Sequence, residues 1–326
     1  MTDLERYVVT EHVEDFNDGI ISRRELLRRV TLITGSMAAT LTVLEVMGCG
    51  AEPSGTPAAP VSRSSSTPQP YATPPATPTG ADGVTVKPDD PRIKVETLAV
   101  KGQDGADLIS YAARPANGKT AGGILVVHEN RGLLPHIKDV VRRVATAGYT
   151  SLSVDLLSRD GGADKLSDQA SYGAALAKRA VPAMVSDLMQ ALSALKASSG
   201  VSDKLGITGF CFGGGMVWNA LVANAPVKAA VPFYGPKPTD ASNVANTKAA
   251  VFAIYAEQDT FVTPSRPDME RLLQAATTKQ GGQPYQITVY PGVGHGFHND
   301  TGARYDAKQA EIAWVATVEW LRKYVH

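Results

Sequence analysis

Cysteine is scarce in this chain of 326 residues, occurring only as Cys49 and Cys211. The two sit in such different surroundings that an intramolecular disulfide is not expected, and two thiolates are too few for a cysteine-built metal cluster. Net charge is missing as well. The 32 basic residues balance 32 acidic ones, so no overall field favours nucleic acid, and a nucleic-acid partner is set aside. There is no internal repeat. The one long apolar run, Val30 to about Met47, spans only about 18 residues and includes Thr31, Thr34, Gly35, Ser36 and Glu45, a poor permanent membrane span. What remains, 43% hydrophobic and 20% charged residues, is the composition of a globular protein rather than of a multi-span membrane protein.

The apolar run follows Ser22-Arg23-Arg24-Glu25-Leu26-Leu27-Arg28, and charged residues ahead of such a run are the layout of an export signal. The arginine pair points to the twin-arginine route; an amphipathic helix or a signal anchor is the alternative. The run ends in Val46-Met47-Gly48-Cys49, which resembles the bacterial lipobox and marks Cys49 for lipidation. Beyond it, Pro, Ser, Thr, Ala and Gly dominate to about Pro91, with too few large apolar groups to offset the entropy of ordering. The expected organisation is an export signal over 1–49, a disordered and extended tether over 50–91, and a catalytic domain over 92–326. The product would be an exported protein on the cell envelope, held to a membrane by lipid.

From Ile93 onward strands and helices alternate. Ile93 to Val100 and Leu108 to Ala113 flank a Gly102–Gly105 turn and predict an antiparallel hairpin. Gly123 to His128, Thr150 to Val154, Leu205 to Thr208, Ala229 to Phe233, Ala250 to Ala256 and Gln286 to Tyr290 read as strands. The first of these is almost continuously apolar, as in a strand covered on both faces. Helices are predicted over His136–Ala147, Gly214–Asn224, Asp268–Thr278 and Ala307–Tyr324. Val181, Met184, Val185, Leu188, Met189, Leu192 and Leu195 add another apolar face at helical spacing. This alternation predicts an α/β fold, a mainly parallel doubly wound sheet with helices on both faces. Ligand sites in such sheets lie at the carboxyl ends of the strands.

One strand-to-helix junction carries chemistry. Gly209-Phe210-Cys211-Phe212-Gly213 has the spacing of the G-x-S-x-G elbow, with cysteine in the serine position. The nucleophile of such an elbow sits in a strained tight turn, so the residues two positions away must be small. A sulfur at the start of a helix also meets unpaired N–H groups that favour thiolate. An acid and a base follow in the required order. Asp259 lies just past the end of the strand Ala250–Ala256, with Glu257 as a rival acid earlier on the turn. His295 stands between Gly294 and Gly296 after the last strand, placed to take a proton from the nucleophile. His298 reads as a solvated loop residue, and His12, His128, His136 and His326 lack the setting of His295.

With these residues the chain, from about Ile93 to its C-terminus, resembles the dienelactone hydrolase family of α/β-hydrolases. The resemblance implies a catalytic triad of Cys211, Asp259 and His295 and hydrolysis of a lactone or small ester through a cysteine acyl-enzyme. It implies that Glu129, in Val127-His128-Glu129-Asn130-Arg131-Gly132, interacts with the resting thiol; a salt bridge to Arg131 is its alternative role. The oxyanion hole maps to the backbone N–H groups of Asn130 and Phe212. Arg131 and Arg304 are the arginines available for a substrate carboxylate. No cofactor and no metal are expected, and a monomer is. The alternatives are a broad carboxylesterase or thioesterase on the same site, or a binding lipoprotein that has lost activity.

Overall fold

The computed structural model describes residues 1–47, 85–166, 169–279 and 281–326. Cys49 and nearly all of the expected tether lie outside the described residues. Three helices come first: α1 (Asp3–Asn17), α2 (Arg23–Thr34) and α3 (Met37–Val46). Then follow β1 (Ile93–Glu96), β2 (Val100–Lys101), β3 (Asp107–Leu108), β4 (Ser110–Pro115), β5 (Gly123–Val127), α4 (Pro135–Thr146) and β6 (Thr150–Val154). Next are α5 (Gly162–Lys165), α6 (Gln169–Ala177), α7 (Val181–Ala197), β7 (Leu205–Phe210), α8 (Phe212–Val222) and β8 (Ala229–Phe233). The chain closes with β9 (Ala250–Ala256), α9 (Arg266–Thr277), β10 (Tyr285–Tyr290) and α10 (Ala307–Tyr324).

Eight strands form one sheet in the order β1-β4-β6-β5-β7-β8-β9-β10. The pairs β1–β4 and β4–β6 are antiparallel, and every pair from β6 to β10 is parallel. β5, β6, β7, β8 and β9 are buried along their whole length, which is why they read as runs of Val, Ile, Leu, Ala and Phe rather than as alternating patterns. The α/β-hydrolase architecture is the one the sequence predicts, with α4 over β4 to β6, α10 over β8 and β9, and α7 and α8 over the sheet centre. The hairpin over Ile93–Ala113 is more divided than predicted. Only β2 and β3 pair across the glycine turn, while β1 crosses to β4 in the main sheet.

The N-terminal segment departs from the sequence reading, which sets it apart from the catalytic domain. α1 packs on α2, and both lie on α6. Tyr7, Val8, Val9 and Val13 of α1 are buried, as are Leu26, Val30 and Ile33 of α2. Each such side chain withdrawn from water contributes about 1.5–3 kcal/mol, ample reason for these helices to lie against the domain. At the near end of the tether Val86 is buried, and the backbone N–H groups of Thr85 and Val86 donate to Asp139.

Candidate active site

The carboxyl ends of β5, β7, β9 and β10 converge on one cleft. β7 ends at Phe210, and Cys211 takes φ 57° and ψ −125° before α8 begins. Positive φ at a residue with a side chain is strained backbone, held here by the Cys211 N–H donating to the Phe233 carbonyl at 3.1 Å. The flanking glycines are required by contact. A Cβ on Gly209 would stand 2.4 Å from the Gly213 carbonyl oxygen, and one on Gly213 would stand 2.4 Å from that of Val127. Phe212 opens α8, so its N–H is one of the four at a helix start that no helical carbonyl can accept from.

The structure brings Cys211, His295 and Asp259 together. His295 Nδ1 donates to Asp259 Oδ2 at 2.7 Å, and Asp259 Oδ1 accepts from the N–H groups of Phe261 (3.1 Å) and Val262 (2.7 Å). Glu257, the rival acid, accepts instead from the Gly292 N–H at 2.9 Å on the exposed side of the turn. Cys211, His295 and Asp259 are 5%, 8% and 3% exposed. Glu129, Asn130, Arg131 and Arg304 line the same cavity as Cys211 and His295, a space of about 340 Å³.

A residue the sequence reading does not single out occupies the centre of this site. The Cys211 thiol donates to Glu11 Oε1 at 3.0 Å, and His295 Nε2 forms an ion pair with the same oxygen at 3.0 Å. Asn130 Nδ2 and the Tyr7 hydroxyl donate to the Glu11 carboxylate as well, and Tyr7 Oη lies 3.2 Å from Cys211 Sγ. Glu129, the expected partner of the thiol, instead accepts from Asn299 Nδ2 at 2.5 Å. Arg304, a candidate for substrate binding, is engaged by α1 and the residue after it, donating to Asp15 Oδ1 at 3.0 Å and Asp18 Oδ2 at 2.6 Å. The signal for α1 was present in the sequence. Thr2 and Glu5 form a capping box ahead of the apolar group Tyr7-Val8-Val9.

The electrostatics follow from burial and these pairings. Burial pushes the Cys211 thiol up to about 12; Glu11 adds to the rise and the His295 hydrogen bond works against it. Burial alone would raise Glu11, but His295, Cys211 and Tyr7 all favour its ionised form and bring it down to about 2. Burial opposes a charged His295, yet Asp259 on one side and Glu11 on the other hold its pKa well above the ordinary value. These shifts all favour an imidazolium between two carboxylates beside a protonated thiol. Glu11, Cys211 and His295 also place one ligand atom each within 4.8 Å of one another, close enough to share a cation. Here Glu11 instead accepts the Cys211 thiol hydrogen bond and pairs with His295.

His298 corrects the expectation of a solvated loop residue. It is 1% exposed, stacked on Phe210 at 4.9 Å between ring centroids and tilted on Phe233 at 5.2 Å. The loop after β10 folds back over the aromatic end of the sheet, and burial drives the ring well below its ordinary pKa, so it serves as a neutral aromatic.

Comparison with known proteins agrees with this geometry. The family model described as "Dienelactone hydrolase family" matches residues 108–325. A "Putative carboxymethylenebutenolidase" of Methylorubrum extorquens is 34% identical over 233 residues, covering 68% of this chain and 78% of the relative. One from Escherichia coli is 32% identical over 237 residues, covering 68% and 84%. The crystal structure of a "Putative Dienelactone Hydrolase" from Klebsiella pneumoniae superposes with a TM-score of 0.63 at 27% identity, covering 71% of this chain and 99% of that one.

Proposed function

This chain belongs to the dienelactone hydrolase family, and from that premise we propose that it hydrolyses a lactone or small carboxylic ester through an acyl-enzyme on Cys211. The observation that carries the proposal is Cys211 itself, strained at φ 57° at the head of α8, with His295 beside it and oriented by Asp259 at 2.7 Å. The step starts from the neutral imidazole, whose unprotonated Nε2 takes the thiol proton as the sulfur attacks the carbonyl carbon. The carbonyl oxygen becomes an oxyanion facing the N–H groups of Phe212 and Asn130. Collapse expels the alkoxide, which takes the proton back from His295. Water, deprotonated by His295, then attacks the thioester, and the carboxylic acid leaves as the thiol is restored. Relatives named as carboxymethylenebutenolidases support a lactone as the substrate, and Arg131 in the cavity wall supports one that carries a carboxylate.

The full chain should hydrolyse an activated aryl ester, and Cys211→Ala should lower turnover by about a thousandfold or more. Acid-quenched protein should carry the acyl group on the Cys211 peptide, read by mass spectrometry. A Cys211→Ala variant as active as the native chain would remove the cysteine from the mechanism.

We also propose that residues 1–49 direct export and that Cys49 receives lipid. The Arg23-Arg24 pair, the apolar run behind it and the position of Cys49 support this reading. No single described helix is long and apolar enough to cross a membrane; α2 and α3 meet the length only together, bent by 109°.

A further inference from the structure

Glu11 lies where the reaction has to run. In any transfer from Cys211 to His295, the space between Sγ and Nε2 must admit the thiol proton and then the leaving group. One carboxylate oxygen of Glu11 fills that space, 3.0 Å from each atom. The Tyr7 hydroxyl stands against the sulfur at 3.2 Å, and the other Glu11 oxygen takes the Asn130 side chain.

Electrostatics make the same arrangement unreactive. Glu11 beside the sulfur opposes thiolate, and together with Asp259 it keeps His295 charged, so the imidazole has no lone pair with which to take a proton. A catalytic partner of Cys211 would do the reverse.

The helix that carries Glu11 is seated rather than resting by chance. At its N-terminal end Thr239 donates to Asp3, and at its C-terminal end Arg304 donates to Asp15 and Asp18. Between these anchors Val8, Val9 and Val13 are buried. α1 (Asp3–Asn17) itself lies outside the matched family region, residues 108–325.

We propose that α1 is a built-in inhibitor of this hydrolase, inserting Glu11 between nucleophile and base, and that ester substrate reaches Cys211 only when α1 swings off the cleft. The proposal rests on Cys211 as the nucleophile, and the two fail separately in the test.

The test uses the full chain and a double variant, Asp3→Ala with Asp18→Ala, which removes the exposed anchors at either end of α1 and no buried group. Two rates are read: hydrolysis of p-nitrophenyl acetate, and alkylation of Cys211 by iodoacetamide followed on its own peptide by mass. Exposed polar contacts of this kind are individually weak, so losing both should raise each rate roughly three- to tenfold. A folded double variant with unchanged or slower rates overturns the proposal, since α1 would then complete the site rather than block it.

The native chain gives an independent reading should the variant fail to fold. At pH 8 its Cys211 should react with iodoacetamide about a hundredfold or more slower than glutathione under the same conditions. Reaction at the glutathione rate overturns the proposal. Adding Cys211→Ala to the double variant separates the two ideas. If the faster hydrolysis survives, α1 remains the inhibitor and the nucleophile is another group; if it vanishes, both stand.

Discussion

At the scale of single residues, the site depends on atoms that are absent. Gly213 lies on the first turn of α8, where an alanine would ordinarily favour the helix by about 1 kcal/mol. Here its Cβ would stand 2.4 Å from the Val127 carbonyl oxygen and 2.5 Å from that of His128, both on backbone at the end of β5 that has no room to retreat. The clash outweighs the propensity. Gly213→Ala should cost about 2–3 kcal/mol and lower the thermal midpoint by about 5 °C or more. An unchanged midpoint in a thermal unfolding scan would show that the elbow and β5 are not in the close contact described.

At the scale of elements, α1 carries its own pH dependence. Burial raises Glu14 to about 7; Asp259 and Glu11 add to the rise while His295 and Arg304 oppose it. Off the cleft, Glu14 returns to the ordinary carboxylate value near 4.5. The sign follows from linkage: a group raised in the docked state leaves docking unpenalised below the free value and weakens it as pH climbs through the docked one. Docking of α1 therefore loosens from about pH 4.5 to pH 7, as Glu14 is forced to ionise in the cleft. Glu14→Gln removes that penalty. The variant should match the native chain in ester hydrolysis at pH 5 and fall below it at pH 8, where only the native helix is loosened. Equal pH profiles from pH 5 to 8 would contradict the role given to Glu14.

For the whole molecule, the proposed inhibitor and the proposed export signal fall on one stretch of chain. α1 to α3 lie ahead of Cys49, so a chain that begins at a lipidated Cys49 has lost Glu11 along with the rest of the leader. The precursor would be silent and the surface-bound enzyme open. Intact mass of protein extracted from membranes should show a chain starting at Cys49 with a lipid adduct. A full-length chain, or one starting elsewhere without lipid, would sink this account of the segment while leaving the cleft geometry untouched.

Much was legible in the sequence because its causes are local. Strand burial on both faces shows as apolar runs, the elbow as glycines two residues either side of Cys211, and Asp259 and His295 as polar residues just beyond strand ends. These patterns determine an α/β-hydrolase fold and name the residues that the cleft assembles. Long-range pairing leaves no such trace. That Glu11 reaches a sulfur 200 positions away, that Asn299 holds Glu129, and that His298 is stacked inside rather than solvated were decided only by tertiary packing. A side chain's partner depends on which surfaces the folded chain brings together, and buried area set α1 on the cleft where composition had set it apart.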